Sequence, residues 1–239
     1  MSVHRTEVIS PYCAQQAVEA LMCVLRRYGF GGSVHLRLQR ALGAVDRIVA
    51  QVNYRSPLVV LRIQLPIGGE DGVAAVADRL DCHIRRQLTG MPVRPWPDPL
   101  RPTMGLVSGP GSIVRRKRCR LMVATPQAAM AVMDAFDFDA HLFIDAETGQ
   151  DAVVYWAGPR GARLARQSRM EPPSLSGSFT VNPIPALYLS ERAAIERLCG
   201  YGLPFLFYTD VIERRGRLLY RRYAGELGLV QGECGGLTS

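Results

Sequence analysis

The chain has 239 residues, 48% of them hydrophobic, and a formal net charge of +8. This length can hold one large domain or two to three small ones, and the hydrophobic fraction supports packed cores. No apolar run approaches the ~18–20 residues of a membrane span, and the first residues lack the apolar stretch of a signal peptide. The composition therefore predicts a cytoplasmic protein with no membrane partner.

The excess positive charge lies mainly in the first part of the chain. Residues 1–112 carry 13 basic and 8 acidic side chains, a balance of +5, whereas residues 113–167 carry +2 and residues 168–239 carry +1. Of the 29 basic residues, only Lys117 is a lysine. Arginine suits contact with phosphates and bases, although a genome that favours arginine codons explains the Arg/Lys ratio equally well. The sign of the charge indicates a nucleic-acid partner.

Motifs for catalysis or metal binding are absent from the sequence. The six cysteines are scattered without a CxxC pair, so neither a zinc site nor a disulfide framework is expected. The sequence also lacks GxxxxGK[ST], GxSxG and HExxH. We therefore expect no enzyme activity, no cofactor, no metal and no small-molecule substrate.

Residues 1–90 show the pattern of a small two-layer α+β domain. Apolar residues recur at helical spacing in two segments, and they alternate with polar residues in three others. Ser10 and Pro11 fit the start of the first helix, and Gly29 fits its end. The predicted order is β-α-β-β-β-α, with an edge strand at 3–9, helices at 11–28 and 72–88, and strands at 34–40, 47–55 and 58–65.

A proline-rich linker follows this domain. Residues 91–112 contain six prolines and three glycines, which exclude a helix or a central strand. Such a segment reaches about 3.1 Å per residue and can separate two domains. The basic run RRKR at residues 115–118 comes directly after it. The run is either a solvated face or a phosphate contact at the entrance to the next domain.

A motif then occurs twice, as HLFIDAETGQDAVVY at 141–155 and FLFYTDVIERRGRLLY at 205–220. Self-similarity at an offset of about 64–65 residues indicates a duplication. We define the first repeat as residues 113–168 and the second as residues 179–231. Each repeat is predicted to contain a helix, with Thr125 and Ser190 as the N-caps, followed by three short strands. A strand at Cys119–Ala124 is expected to precede the first helix.

These motifs resemble a known family. The strings DAETGQDAVVY and YAGELGLV are similar to the C-terminal domain of the long-form ribosome hibernation promoting factors. The β-α-β-β-β-α order and the linker resemble the rest of that family's chain. The duplication and the VRPWPDP linker resemble the actinobacterial branch, the dormancy-associated translation inhibitors. The resemblance implies a ribosome-bound protein whose N-terminal domain occupies the small-subunit decoding region, blocking mRNA and tRNA during stasis.

The duplicated C-terminal domain departs from that family's pattern. In the family this domain is ordinarily single and pairs with a copy from another ribosome, which joins two inactive ribosomes. Two linked copies make such pairing intramolecular. We therefore expect a pseudo-dimer of the two repeats that stabilises single ribosomes. The alternative is an RNA-binding repressor that acts on non-ribosomal RNA, with the repeats as a protein-interaction module.

The candidate functional residues follow from these expectations. The partners are the small ribosomal subunit, its rRNA and the ribosomal proteins near the mRNA path. The candidate rRNA-binding residues, all basic and all in the N-terminal domain, the linker or the basic run, are Arg37, Arg55, Arg62, Arg79, His83, Arg85, Arg86, Arg94, Arg115, Arg116, Lys117 and Arg118. The candidate residues of the repeat interface, all apolar and on the duplicated strands, are Leu142, Phe143, Val153, Leu206, Phe207 and Leu218.

Overall fold

A computed structural model describes residues 2–5, 11–31, 33–40, 48–55, 60–67, 72–89, 111–158, 161–172, 179–222 and 225–233. Ser10, Arg94 and all but the last two residues of the predicted linker lie outside these ranges. The chain forms two compact units. The first comprises Met1–Arg94, Asp98–Thr103 and Asp134–Phe138, and the second comprises Pro95–Pro97, Met104–Met133 and Asp139–Ser239. Within the described ranges, no helix is both long and apolar enough to cross a membrane.

The N-terminal part has the predicted order of elements. They are β1 (Ser2–Arg5), α1 (Pro11–Arg27), β2 (Ser33–Arg40), β3 (Ile48–Arg55), β4 (Val60–Ile67) and α2 (Gly72–Thr89). The four strands form one sheet in the order β1-β2-β3-β4. Strand β1 runs parallel to β2, since α1 connects them, and the other neighbours are antiparallel. This confirms the α+β class and the N-terminal order predicted from the sequence.

The core of this unit lies between the two helices and one face of the sheet. Alternate strand residues such as Leu36, Val52 and Ile63 are buried against Leu25 and Leu80 of the helices. Alternation places the intervening residues on the opposite face, away from the helices. The two helices thus cover one sheet face, and the other face carries polar side chains together with Val49, which is 3% exposed.

The C-terminal part contains two sheets, each of five strands. The elements are β5 (Ile113–Cys119), β6 (Val123–Ala124), α3 (Pro126–Ala135), β7 (Ala140–Asp145), β8 (Asp151–Trp156), β9 (Ala162–Arg166), β10 (Phe179–Val181), β11 (Leu187–Leu189), α4 (Glu191–Gly200), β12 (Phe205–Asp210), β13 (Gly216–Arg221) and β14 (Leu227–Gly232). The sheet orders are β10-β9-β8-β7-β6 and β11-β12-β13-β14-β5. The expectation of a single strand at Cys119–Ala124 was wrong, because β5 ends at Cys119 and β6 begins only at Val123.

The first strand of each repeat lies in the sheet of the other repeat. Strand β5 precedes the helix of the first repeat but pairs in parallel with β14 of the second. Strand β10 precedes the helix of the second repeat but pairs in parallel with β9 of the first. The exchange is reciprocal, so each sheet is completed by a strand from the other repeat.

The two repeat helices begin as the sequence predicts. Helix α4 has Ser190 as its N-cap, and the Ser190 hydroxyl accepts a hydrogen bond from the amide of Ala193. Helix α3 starts at Pro126, and the Thr125 hydroxyl accepts from the amide of Ala128 at 3.3 Å. These hydroxyls satisfy amides that a helix start leaves without an intrahelical partner.

Replacing Ser190 by alanine should lower the free energy of unfolding by about 1 kcal/mol, because one amide of the first turn of α4 loses its acceptor. Urea denaturation followed by circular dichroism measures the change. Arg192→Ala is the control, since the Arg192 side chain is 90% exposed beside its ion-pair partner Glu196. Equal stability of the Ser190→Ala variant and the wild type would show that the cap contributes nothing.

Candidate nucleic-acid interface

The sheet face that points away from α1 and α2 carries three of the candidate arginines. Arg37 on β2 and Arg55 on β3 are exposed, and Arg62 on β4 is half-buried. Arg37 lies opposite Gln51, and Arg62 lies opposite Asn53 in the strand register. We call this surface the polar face. Its composition suits contact with phosphate and ribose groups.

Amide side chains connect the strands of the polar face. The Gln51 side-chain oxygen accepts from the Arg62 guanidinium at 3.2 Å and from the Gln64 amide at 2.9 Å. The Gln51 side-chain nitrogen donates to the Asn53 oxygen at 3.1 Å. The Arg62 guanidinium also lies over the Phe138 ring, 5.1 Å from the ring centroid, so the bond to Gln51 and this ring contact together orient it. The amide residues were not among the sequence candidates, although the same alternation pattern contains them.

Three candidates on α2 have protein partners inside the first unit. The Arg79 guanidinium donates to the Asp137 carboxylate at 3.0 Å, with both side chains buried. Arg86 pairs with Asp134. The His83 ring lies 3.1 Å from the backbone oxygen of residue 135, and burial lowers the pKa of His83. The structure thus brings these three side chains together, but against the segment 134–138.

Arg85 belongs to a different flank of α2. It pairs with Asp81 at 2.7 Å, and its side chain remains 64% exposed. Asp81 also accepts from Arg27 and from the Tyr28 hydroxyl, which ties α2 to the end of α1. Arg85 therefore has a structural contact and an accessible side chain at the same time.

The basic run RRKR forms most of strand β5, at one edge of the second C-terminal sheet. The Arg116 guanidinium makes two hydrogen bonds to the Glu191 carboxylate, at 2.6 and 2.5 Å. Bonding to Arg116 lowers the pKa of Glu191. Arg115 and Arg118 are exposed, whereas Lys117 is half-buried. Arg116 thus links the edge strand to the start of α4 through an ion pair in which its side chain is still 52% exposed.

Residues of both C-terminal sheets meet in one apolar cluster, which we call the shared cluster. Leu142 and Val153 of the first repeat and Leu218 of the second are buried in it. Phe207 is half-buried beside them. The Tyr155 and Phe205 rings meet edge to face with their centroids 5.3 Å apart. Four of the six interface candidates are therefore brought together.

The other two interface candidates lie elsewhere. Leu206 packs with Leu198 of α4, within the core of the second repeat. Phe143 follows Leu142 along β7 and is buried on the opposite side of the sheet, because neighbouring strand residues face opposite ways. The Leu-Phe pairs thus each contribute one residue to the shared cluster and one to the repeat's own core.

Polar contacts between the repeats were not anticipated from the sequence. The Asp151 carboxylate accepts from the Arg215 guanidinium at 2.7 and 3.0 Å and from the Gly216 amide at 2.7 Å. The Gln167 amide donates to the Thr209 hydroxyl at 3.1 Å. An alignment of the two repeats contains a sequence feature that could have predicted this contact, because Asp151 in the first repeat aligns with Gly216 in the second.

The described residues contain no group of three or more His, Cys, Asp or Glu side chains able to hold a metal ion. Cysteines 23, 82, 119 and 199 are free thiols, of which the first two are exposed.

Comparisons with known proteins show the family of the chain. Residues 109–160 match the family model described as "Sigma 54 modulation/S30EA ribosomal protein C terminus". The dormancy associated translation inhibitors of Mycobacterium tuberculosis strains CDC 1551 / Oshkosh and ATCC 25618 / H37Rv are each 43% identical to this chain over 227 residues, covering 91% of this chain and 82% of theirs. The chain therefore belongs to the family of ribosome-associated translation inhibitors that these proteins represent, which confirms the resemblance seen in the sequence.

Among solved structures, the N-terminal domain of Thermus thermophilus Protein Y is similar to part of this chain. The match covers 35% of this chain and 91% of that domain, with 18% identity and a TM-score of 0.26.

We expect a partly buried histidine in the first repeat to make stability depend on pH. His141 on β7 lies with its ring stacked on Phe143, the centroids 6.5 Å apart, and burial lowers the pKa of His141 to about 4. The unfolded chain keeps the ordinary pKa of about 6.5 and so binds the proton more readily. The contribution of neutral His141 is therefore complete above pH ~6.5 and is lost as the pH falls towards ~4.

We predict that the wild type loses about 3 kcal/mol of stability through this group between pH 6.5 and 4. His141→Leu, which introduces the residue type of the equivalent position Leu206, should flatten that part of the pH profile. Urea denaturation at half-unit pH steps measures both proteins, and their difference removes the contributions of other groups. Parallel pH profiles for the two proteins would contradict the prediction.

Proposed function

We propose that this chain inhibits translation in stasis by binding the small ribosomal subunit of cytoplasmic ribosomes in the decoding region. Two facts support the proposal: the family membership and the arginine-bearing polar face of the N-terminal unit. The balance of +5 over residues 1–112 adds affinity for the dense phosphates of rRNA through counterion release. The polar face is the observation that assigns the proposed binding to particular residues.

The proposed mechanism is steric exclusion and requires no chemical step. Folded RNA is recognised through its shape, its phosphates and its 2′-hydroxyl groups. Arg37 and Arg55 are exposed on the polar face, where they can contact phosphates. The amide side chains of Gln51 and Gln64 on the same face can hydrogen-bond to ribose. A domain held there occupies the volume that mRNA and tRNA need.

We further propose that the two repeats pair with each other, so that each ribosome carries a self-sufficient chain. The shared cluster and the exchanged strands β5 and β10 support this part. Pairing within one chain proceeds at an effective concentration of about mM for a short flexible linker, which exceeds the concentration of a second chain. The apolar surfaces that would join two ribosomes are then already covered.

Removing two charges from the polar face should weaken binding to small subunits. Arg37→Gln/Arg55→Gln is expected to reduce affinity about tenfold or more, since each variant position loses a charged hydrogen bond. The slope of log affinity against log salt should also decrease in magnitude by about two. Filter binding or fluorescence anisotropy with purified subunits, at several salt concentrations, measures both quantities.

The matched control is Arg192→Gln/Arg197→Gln, which removes the same charge from exposed positions on α4. Its affinity should stay within about twofold of the wild type. Free mRNA serves as the competing ligand. Tighter binding to free mRNA than to subunits at physiological salt would overturn the ribosomal assignment in favour of a non-ribosomal RNA.

Ribosomes saturated with the wild-type chain should sediment as single ribosomes. The physical reason is that the apolar sheet faces of the two repeats already cover each other in the shared cluster. Sucrose-gradient sedimentation measures the distribution, and ribosomes without the protein are the reference. A dominant peak of ribosome dimers that depends on the protein would refute the pairing within one chain.

A further inference from the structure

Strand bounds give the correspondence between the two repeats. Strands β7 and β12 start at residues 140 and 205, and β8 and β13 start at 151 and 216, so both pairs differ by 65 residues. Asp151 is therefore the equivalent of Gly216. By the same offset, the equivalent of Gln150 is Arg215.

Asp151 contacts its own equivalent. The Gly216 amide donates to the Asp151 carboxylate at 2.7 Å. In a two-fold arrangement, only residues near the axis meet their own equivalents. Asp151 and Gly216 thus mark the pseudo-two-fold axis of the two repeats, and Asp151 is only 3% exposed there.

The two repeats are not interchangeable at this axis. A Cβ at position 216 would lie 2.5 Å from the Cβ of Asp151 and 2.9 Å from the Phe207 ring, so a side chain does not fit while Asp151 is present. The Arg215 guanidinium supplies the counter-charge to Asp151. The first repeat thus provides the carboxylate, and the second repeat provides the cation and the space.

A second pair of equivalent positions differs between the repeats in the same way. Gln167 of the first repeat corresponds to Gly232 of the second at the same offset. The Gln167 amide reaches across to the Thr209 hydroxyl and to the Arg214 backbone oxygen, at 3.1 and 3.2 Å. A Cβ at Gly232 would lie 3.0 Å from the Arg215 guanidinium. In both places the first repeat has a polar side chain and the second has a glycine.

Pairing of like repeats would lack these contacts. Two first repeats would bring Asp151 against Asp151, with Gln150 in place of the arginine, and two buried like charges repel each other strongly. Two second repeats would bring two Arg215 side chains together with a glycine where each needs a carboxylate. We propose that Asp151, Arg215 and Gly216 make the pairing specific for one first repeat with one second repeat. This rests on the paired repeats of the proposed function.

Charge reversal tests this specificity in the full-length chain without ribosomes, so it is independent of the RNA-binding proposal. Asp151→Arg and Arg215→Asp are made singly and together in one chain. Each single variant places like charges at the axis, which opposes pairing of the two repeats within one chain. The ratio of monomers with paired repeats to chains with unpaired or intermolecularly paired repeats should therefore fall about tenfold or more. The doubly substituted chain should recover the monomer mass of 26.4 kDa. Sedimentation equilibrium measures the masses.

Mixing the two single variants tests the pairing specificity most directly. The substituted first repeat of the Asp151→Arg chain is opposite in charge to the substituted second repeat of the Arg215→Asp chain. The other two repeats keep Arg215 and Asp151, so they also attract each other. The mixture should therefore form a 1:1 dimer that neither variant forms alone. Arg192→Asp, at an exposed position on α4, is the control and should stay monomeric.

Two outcomes would overturn the proposal. In one, the single variants remain monomers with the wild-type unfolding midpoint. In the other, the single variants are disturbed, yet neither the doubly substituted chain nor the mixture recovers. The second outcome would assign the three residues a purely local structural role.

Discussion

Each C-terminal sheet has two apolar faces, and the repeat's own helix covers only one of them. In the second repeat, Leu198 of α4 covers the face that carries Leu219, while Leu218 points to the other side. Leaving such a side chain in water costs about 1.5–3 kcal/mol relative to burial. The second face must therefore be covered by another sheet. The shared cluster meets this need inside one chain, and the exchange of β5 and β10 makes the two sheets mutually dependent.

The same requirement connects structure to the proposed function. A single repeat with an uncovered face needs a copy from another chain, whereas two linked repeats satisfy each other. The N-terminal unit differs, because its two helices pack on one sheet face, and the other face carries Arg37, Gln51 and Arg55. Arg37 and Arg55 on that face are not required for the core. In the proposed function, the N-terminal unit contacts RNA, and the paired repeats cover the surfaces through which a single repeat would pair with another chain.

Much of the fold followed from the sequence, because alternation and helical spacing report burial directly. The N-terminal order, the caps at Thr125 and Ser190 and the end of α1 near Gly29 depend on local patterns. The strand exchange did not follow, since strand pairing between distant segments is non-local. Nor did the partners of Arg79 or the contacts of Asp151, because ion pairs depend on which side chains the fold brings together. Comparing the two repeats position by position would have revealed Asp151 and Gly216.

Self-sufficiency of the tandem repeats is the central claim, and a cryo-electron microscopy map of ribosomes saturated with this protein tests it most directly. The account predicts one chain per small subunit, with both repeats of that chain packed through Leu142, Val153 and Leu218. The map should also show the polar face of the N-terminal unit against rRNA. Density in which the repeats of one chain lie apart, each packed on a repeat from a second ribosome, would contradict the account.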